Sequence, residues 1–552
     1  MLSKRDLFKG AAGLSASSLG AVGATLSGAA RAAPGAFSTI ADGPFSPTWE
    51  SLAGGYHTPD WFRDAKFGIW AHWSAQCVPE QGDWYARNMY LQGTPQYDHH
   101  LKTYGHPADS GFMEIDNLWR AENWNPGELL DLYKAAGAKY FFALANHHDD
   151  FDTYASKFHD WNATRIGPKT DIIARWAEAA RHRGLKFGVS NHSAHAWHWF
   201  QVAYGYDPEG PRAGQRYDAW KLTKYDGKGK WWEGLDPQEL YAGATQVMPD
   251  GITSIKDANA FHDTHDRVWD ENPPLDNPAF VRQWFLRCKD LIDTYQPDLV
   301  YFDNTGLPLG QAGLDITAHY YNAAKRWHGA ADVVVNCKNL PDAHKPGVVE
   351  DVERGFKPDI NPLPWQTDTC IGDWHYNRAR YDNKSYMSAD AVIHRLCDVV
   401  SKNGNLLLSI PVRGDGTIDD EERKIVRGIA SWTQRYGEAI FATRPWHVAG
   451  EGPTQVQAGH MNEAKTKPFT AADIRFTTKK DALYALTLGK PGTTVDITSL
   501  PHEMGAVHRV EIVGSDAPLK FHQDSSGCHV TIPDGASHDY GVALKLTGRG
   551  LL

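Results

Sequence analysis

The stretch PDLVYFDNTG, residues 297–306, decides the fold. Leu299, Val300, Tyr301 and Phe302 form an apolar run without alternation, the pattern of a strand buried on both faces. The run stops at Asp303, with Asn304, Thr305 and Gly306 behind it. Parallel α/β folds place their chemistry at the carboxyl ends of such strands, so Asp303 is a candidate catalytic carboxylate. An Asp here also suits the capping of a turn, and the run alone leaves both readings open.

Seven further runs share its character: 66–73 (KFGIWAHW), 139–148 (KYFFALANHH), 186–193 (KFGVSNHS), 331–338 (ADVVVNCK), 347–355 (GVVEDVERG), 365–372 (WQTDTCIG) and 404–411 (GNLLLSIP). Helical patterns separate many of them. Pro126–Gly137 opens on Pro and closes on Gly, and 171–184, 279–296 and 388–403 carry apolar stripes at helical spacing. Strand alternating with helix implies a parallel sheet, and eight such units predict a closed (β/α)8 TIM barrel over about 45–440. The runs end in polar, reactive residues: His72, His147 and His148, Asn191 and His192, Asp303, Asn336 and Lys338, Glu353, Asp368. A sheet built only for stability has no reason to end strand after strand in His and acid, so one rim is expected to carry a site.

After Trp446 short alternating stretches such as 473–477, 483–487, 507–513 and 529–532 follow one another with no long helix pattern, predicting an antiparallel β-sandwich over about 445–552. Two long excursions, 74–124 and 196–275, interrupt the barrel pattern and are expected over the mouth of the site.

Composition narrows the partners. A net charge of −11 without any Lys/Arg-rich block argues against a nucleic-acid surface. Flat rings stack on the C–H faces of sugars, and 21 Trp and 23 Tyr beside many His and Asp point to a carbohydrate substrate, with Trp365 counted among its ligands. Six cysteines without a C-x-x-C pair disfavour a zinc knuckle or a thioredoxin-like site. They read as buried thiols, or as one disulfide in an oxidising compartment. Residues 1–32 combine Lys4-Arg5 in a twin-arginine-like motif, a small-residue stretch, and Ala30-Arg31-Ala32. This is the pattern of an export signal cut after Ala32, giving a periplasmic or secreted protein without a membrane span.

With these motifs in order, the chain resembles the α-L-fucosidases, family 29 of the glycoside hydrolases. The resemblance rests on 66–73, on Trp84-Tyr85-Ala86-Arg87-Asn88-Met89-Tyr90, and on Asn146-His147-His148-Asp149-Asp150-Phe151, similar to that family's HHDGF segment. Tyr301-Phe302-Asp303 stands at the nucleophile strand, and 403–408 with Gly414-Asp415-Gly416 at the closing motif. The resemblance implies a retaining exo-glycosidase that needs no cofactor or metal and acts on oligosaccharides or polysaccharides. Asp303 would be its nucleophile and Glu353 its acid/base. If 350–355 is extended, Asp351 and Glu353 share a face while Glu350 points to the other. His72, His147, His148 and Trp84 look like the family's sugar ligands. Asp83, His192 and Lys338 stand where Glu, Tyr and Arg are usual, and Asp150 replaces a Gly. Asp83, Asp150 and His192 add polar capacity, which keeps α-L-galactose as a rival to α-L-fucose. A metal-dependent hydrolase is the other reading of these histidines; adjacent His147 and His148 would point to opposite faces if extended, a poor geometry for ligands.

Overall fold

The structure, a computed structural model, describes residues 39–267 and 277–552. The export-signal reading of residues 1–32 lies outside the described residues. Eight parallel strands close into a barrel in chain order. They are β1 (Phe67–Ala71), β2 (Tyr140–Asn146), β3 (Lys186–Asn191), β4 (Leu299–Thr305), β5 (Val334–Lys338), β6 (Val349–Asp351), β7 (Trp365–Cys370) and β8 (Gly404–Ser409). Each lies in one of the eight apolar runs.

The lack of alternation in β4 has a simple cause. Leu299 and Tyr301 face inward and join Trp70, Tyr140, Phe142, Val334, Val349 and Leu407 in one buried cluster. Phe302 faces outward onto Trp284 of the helix Pro278–Tyr295, ring centroids 5.9 Å apart. Asn277 caps that helix, its side chain accepting from the Phe280 amide, and Pro278 occupies the first turn where no amide is needed. Asp171 caps Ile172–His182 and Asn125 caps Pro126–Ala135 in the same way.

The barrel is incomplete on one side. Between β5 and β6 lies only a three-residue helical turn (Lys345–Gly347), and no helix lies between β6 and β7. The chain beyond the barrel covers the gap: the amides of Gly459, Met461 and Glu463 each donate, at 2.8 Å, to the carbonyls of Phe356, Glu353 and Arg354 respectively. That chain builds a five-stranded antiparallel sheet, β13 (Ala506–Ile512), β16 (Ala543–Arg549), β11 (Ala482–Thr487), β10 (Ile474–Lys479) and β9 (Arg444–Glu451), in that order. A second sheet orders β12 (Thr494–Ile497), β15 (Gly527–Thr531) and β14 (Phe521–Asp524). No helix among the described residues is long and apolar enough to cross a membrane, and all six cysteines are buried thiols.

The two excursions pack against each other around buried carboxylates. Asp207 accepts from the hydroxyls of Tyr97 and Tyr217, each at 2.6 Å, and contacts His106 Nε2 at 2.8 Å. Asp218 accepts from Tyr90 at 2.9 Å and from Tyr241. Gly111 is required beside it, because a Cβ there would stand 1.9 Å from Asp218 Oδ2.

Burial pushes the Asp218 carboxyl up to about 7, the two tyrosine hydroxyls pulling it only partly back. The native state therefore keeps a proton that the unfolded chain, titrating near 3.9, gives up. This contribution is fully present below about pH 4 and is lost as pH rises through 7. In Asp218→Asn the position no longer titrates. The unfolding free energy of the variant should gain on that of the parent between about pH 4 and 7, by on the order of 4 kcal/mol, and then run parallel. A gap independent of pH would show that the Asp218 carboxyl titrates alike in the folded and unfolded chain.

Candidate active site

At the carboxyl ends of the strands the inward positions converge. Lys338, the last residue of β5, donates from Nζ to Asp303 Oδ1 and to Glu353 Oε2, the latter at 2.7 Å. Two oxygens bonded to one ammonium cannot stand farther apart than two hydrogen-bond lengths. The facing oxygens of Asp303 and Glu353 are therefore joined across one ammonium. Asp303 is also held on its other oxygen, by His192 Nδ1 at 3.0 Å and His148 Nε2 at 3.4 Å. Glu353 lies two residues past the end of β6, and His460 Nε2 stands 3.6 Å from its Oε2.

Glu350 faces the opposite way. It accepts from Lys357 Nζ at 2.6 Å and lies 3.4 Å from Lys345 Nζ, on the outer side of the barrel. Asp351 and Asp368 occupy the layer beneath the rim. Asp368 accepts from the Tyr301 hydroxyl at 2.8 Å and Asp351 from Gln366 Nε2 at 2.8 Å.

These four inward carboxyl groups surround a single ammonium, and the protein resolves the conflict by charge state. Burial disfavours the Asp303 carboxylate, but Lys338 followed by His192 and His148 outweighs it and holds the group well below the usual range. Lys338, although buried, is held well above its ordinary value by Asp303 and Glu353. Burial pushes Asp368 up to about 7, and burial together with Asp368 pushes Asp351 well above its ordinary value. The rim thus carries an ionised Asp303, while burial disfavours the charged forms of Asp351 and Asp368 beneath it.

The histidines form the wall beside Asp303. His147 and His148 lie 4.3 Å apart by ring centroid, and His147 and His192 4.9 Å apart. His72 lies one residue past β1, 5.4 Å from His192. Burial lowers His72 and His147 well below 6.5 and takes His192 to about 4, so the three rings are neutral at pH 7. Because an ionised Asp303 can only accept, His192 carries its proton on Nδ1, which leaves Nε2 as an acceptor for a hydroxyl. Trp84 adopts a left-handed backbone at φ 62°, a conformation that occurs where structure around a site over-determines it. Its ring lies edge-on to Trp199, and Trp199 in turn packs 5.4 Å from His148. Asp83 accepts from the His375 amide at 2.8 Å and is 32% exposed.

Three expectations are corrected. Trp365 is not at the site: it opens β7 and has the outward parity, since Gln366 and Asp368 face in. It packs on Val352 and Val399 with Nε1 donating to Lys402 O at 2.8 Å. His147 and His148 do not point to opposite faces, because β2 ends at Asn146 and strand alternation no longer governs them. Asp150 adds no polar capacity to the pocket. Its φ is 64°, where Gly is the easy residue, and its carboxylate turns away to Arg287 at 2.5 Å, beside Asp152.

Some site residues have no signature in the sequence patterns. His375 is fully buried, 4.7 Å from His147, with both ring nitrogens lacking a hydrogen-bond partner. Trp374 covers His72 at 4.9 Å and Gln76 Nε2 contacts His147 Nδ1 at 3.1 Å. Trp374-His375 follow the end of β7 by four and five residues, a signal that was available; His460 arrives from the far domain and had none.

Comparison with known proteins bears on this geometry. The chain is similar to the tissue α-L-fucosidase of Rattus norvegicus, 24% identical over 514 residues covering 91% of this chain and 92% of the relative. It is similar as well to the α-L-fucosidase of Branchiostoma floridae, 24% identical and covering 90% and 93%. Among solved structures the α-fucosidase of Thermotoga maritima superposes with a TM-score of 0.65 at 24% identity, covering 91% of this chain and all of that one. The α-L-fucosidase isoenzyme 1 of Paenibacillus thiaminolyticus superposes at 0.60 and 20%, covering 89% and 98%. The α-L-fucosidase family model matches residues 35–438, and the chain belongs to that family of glycoside hydrolases.

Proposed function

We propose that the protein is a retaining exo-α-L-fucosidase in which Asp303 is the nucleophile and Glu353 the acid/base. The observation that carries the reading is the Lys338 ammonium bonded to both carboxylates. In the first step Asp303 attacks the anomeric carbon and becomes an ester, while Glu353 gives its proton to the leaving oxygen and becomes a carboxylate. In the second step Glu353 takes a proton from water, which displaces Asp303. One negative charge passes between the two groups, and an ammonium touching both has an anionic partner in every state. Neutral His72, His147 and His192 are suited to sugar hydroxyls, since each ring offers one donor and one acceptor. Trp84 and Asp83 are assigned to the edge of the same pocket.

The metal-dependent alternative has one geometric point in its favour, ligand atoms of His147, His148 and His192 within 4.8 Å of one another. The family assignment and the bridged carboxylate pair favour the glycosidase. We also propose export, with cleavage after Ala32, on the strength of the N-terminal motifs; N-terminal sequencing of the mature protein tests it.

Proton NMR of the first sugar released from an aryl α-L-fucoside tests the function. The α anomer should appear first and the β anomer only by later mutarotation. Release of β-L-fucose first, or faster turnover of the matching α-L-galactoside, contradicts the reading.

A further inference from the structure

Of the 21 Trp and 23 Tyr in the chain, the three that are exposed among the described residues lie within one stretch, 220–231. Trp220 is 50%, Tyr225 90% and Trp231 39% exposed. Large rings left in water side by side mark a surface that meets a partner. Two of the rings are held in place. The Arg216 guanidinium lies 4.9 Å from the Trp220 ring, and Trp231 donates from Nε1 to Glu114 at 3.0 Å, edge-on to the buried Trp161. The excursion that carries these rings also brings Trp199 against His148 at the site.

The same stretch holds four lysines, Lys221, Lys224, Lys228 and Lys230, against one Asp, in a chain whose net charge is −11. All four lysines are exposed. Asp226 directs an oxygen to Thr223, whose amide and hydroxyl donate to it at 2.8 and 2.7 Å. Rings interleaved with ammonium groups complement a polyanion whose units have apolar faces. The chain belongs to a family of glycoside hydrolases, and a glycan has that character where its hydroxyls carry sulfate. Arginine is the better partner for a planar carboxylate, which it meets with two parallel bonds. A lysine ammonium is a point charge and suits the three free oxygens of a sulfate ester.

We propose that the surface formed by residues 220–231 docks a sulfated polysaccharide, holding the enzyme on a polymer through side chains separate from those of the catalytic pocket. The test is the affinity of the full-length enzyme, at physiological salt, for dextran sulfate, carboxymethyl dextran, neutral dextran and oligothymidylate. Dextran sulfate should bind about tenfold or more tighter than each of the other three probes. The double variants Lys224→Ser with Lys228→Ser, and Trp220→Ala with Tyr225→Ala, should each weaken that binding about tenfold. Their kcat/KM on an aryl α-L-fucoside should stay unchanged. Equal binding of any of the other three probes overturns the proposal, as does an affinity for dextran sulfate unchanged in either double variant. Binding is read without turnover, so its failure discards the docking surface alone, whereas an enzyme that binds dextran sulfate and cleaves no fucoside discards the fucosidase reading alone.

Discussion

Asp303→Ala should abolish nearly all turnover of an aryl α-L-fucoside, by about 10⁴-fold or more, equivalent to about 5.5 kcal/mol or more in barrier, and leave the fold intact. The size of the effect follows from its place in the reaction: without the carboxylate no ester forms and the transition-state charge at the anomeric carbon loses its nearest anion. The fold survives because Asp303 sits at the rim with its side chain 19% exposed, so truncation opens a space that water can fill. Lys338, the one ammonium at this point, keeps Glu353 as a partner and is not left as an unpaired buried charge. The checks are kcat with the activated substrate and the thermal midpoint. Residual activity above about one per cent with an unchanged midpoint would assign the nucleophile to another group.

Glu353→Ala should behave differently. An aryl leaving group departs with little acid help, so the first step survives and the glycosyl-enzyme accumulates for want of a base. Azide, a small anion that needs no base, then enters the space of the missing side chain and should restore turnover by tenfold or more, giving a fucosyl azide of retained configuration. A poorly activated fucoside should lose most of its turnover without rescue, since its oxygen cannot leave unprotonated. Glu350→Ala is the contrast. Glu350 spends its oxygens on Lys357 and Lys345 outside the barrel, so its loss should produce no azide dependence. Azide rescue in Glu350→Ala and not in Glu353→Ala would reverse the assignment and place the acid on the other side of β6.

Most of the barrel was legible because its physics is local. A strand buried on both faces must be apolar throughout, and Phe302 against Trp284 with Tyr301 in the interior shows the two burials that erase alternation in β4. Other side chains are misplaced for separate reasons. A Trp suits stacking on a sugar, but parity within β7 sends Trp365 outward under the helix Ala389–Ser401. Strand alternation does not reach His147 and His148, because β2 stops at Asn146. Asp150 stands where a Gly is usual and suggests added polar capacity, and only Arg287, more than a hundred residues later, gives its carboxylate a different partner. His460 reaches the site through a loop of the C-terminal domain, and the contact of such a loop with a distant strand end leaves no periodicity to read, whereas His375 lies just past the end of β7. What the sequence carried well was the order of strand ends. What it carried poorly was which residues beyond those ends turn back toward the centre.

The central claim is that Asp303 forms a covalent bond to the sugar, and the most direct measurement is to trap it. A 2-deoxy-2-fluoro-α-L-fucoside with an activated leaving group destabilises both transition states but lets the first proceed, so the ester persists long enough for digestion and peptide mass spectrometry. The account predicts one added 2-fluorofucosyl unit per chain, on the peptide bearing Tyr301-Phe302-Asp303 and localised to Asp303, with activity lost in parallel. A label on Glu353 or Asp368, or inactivation without any covalent adduct, would contradict it.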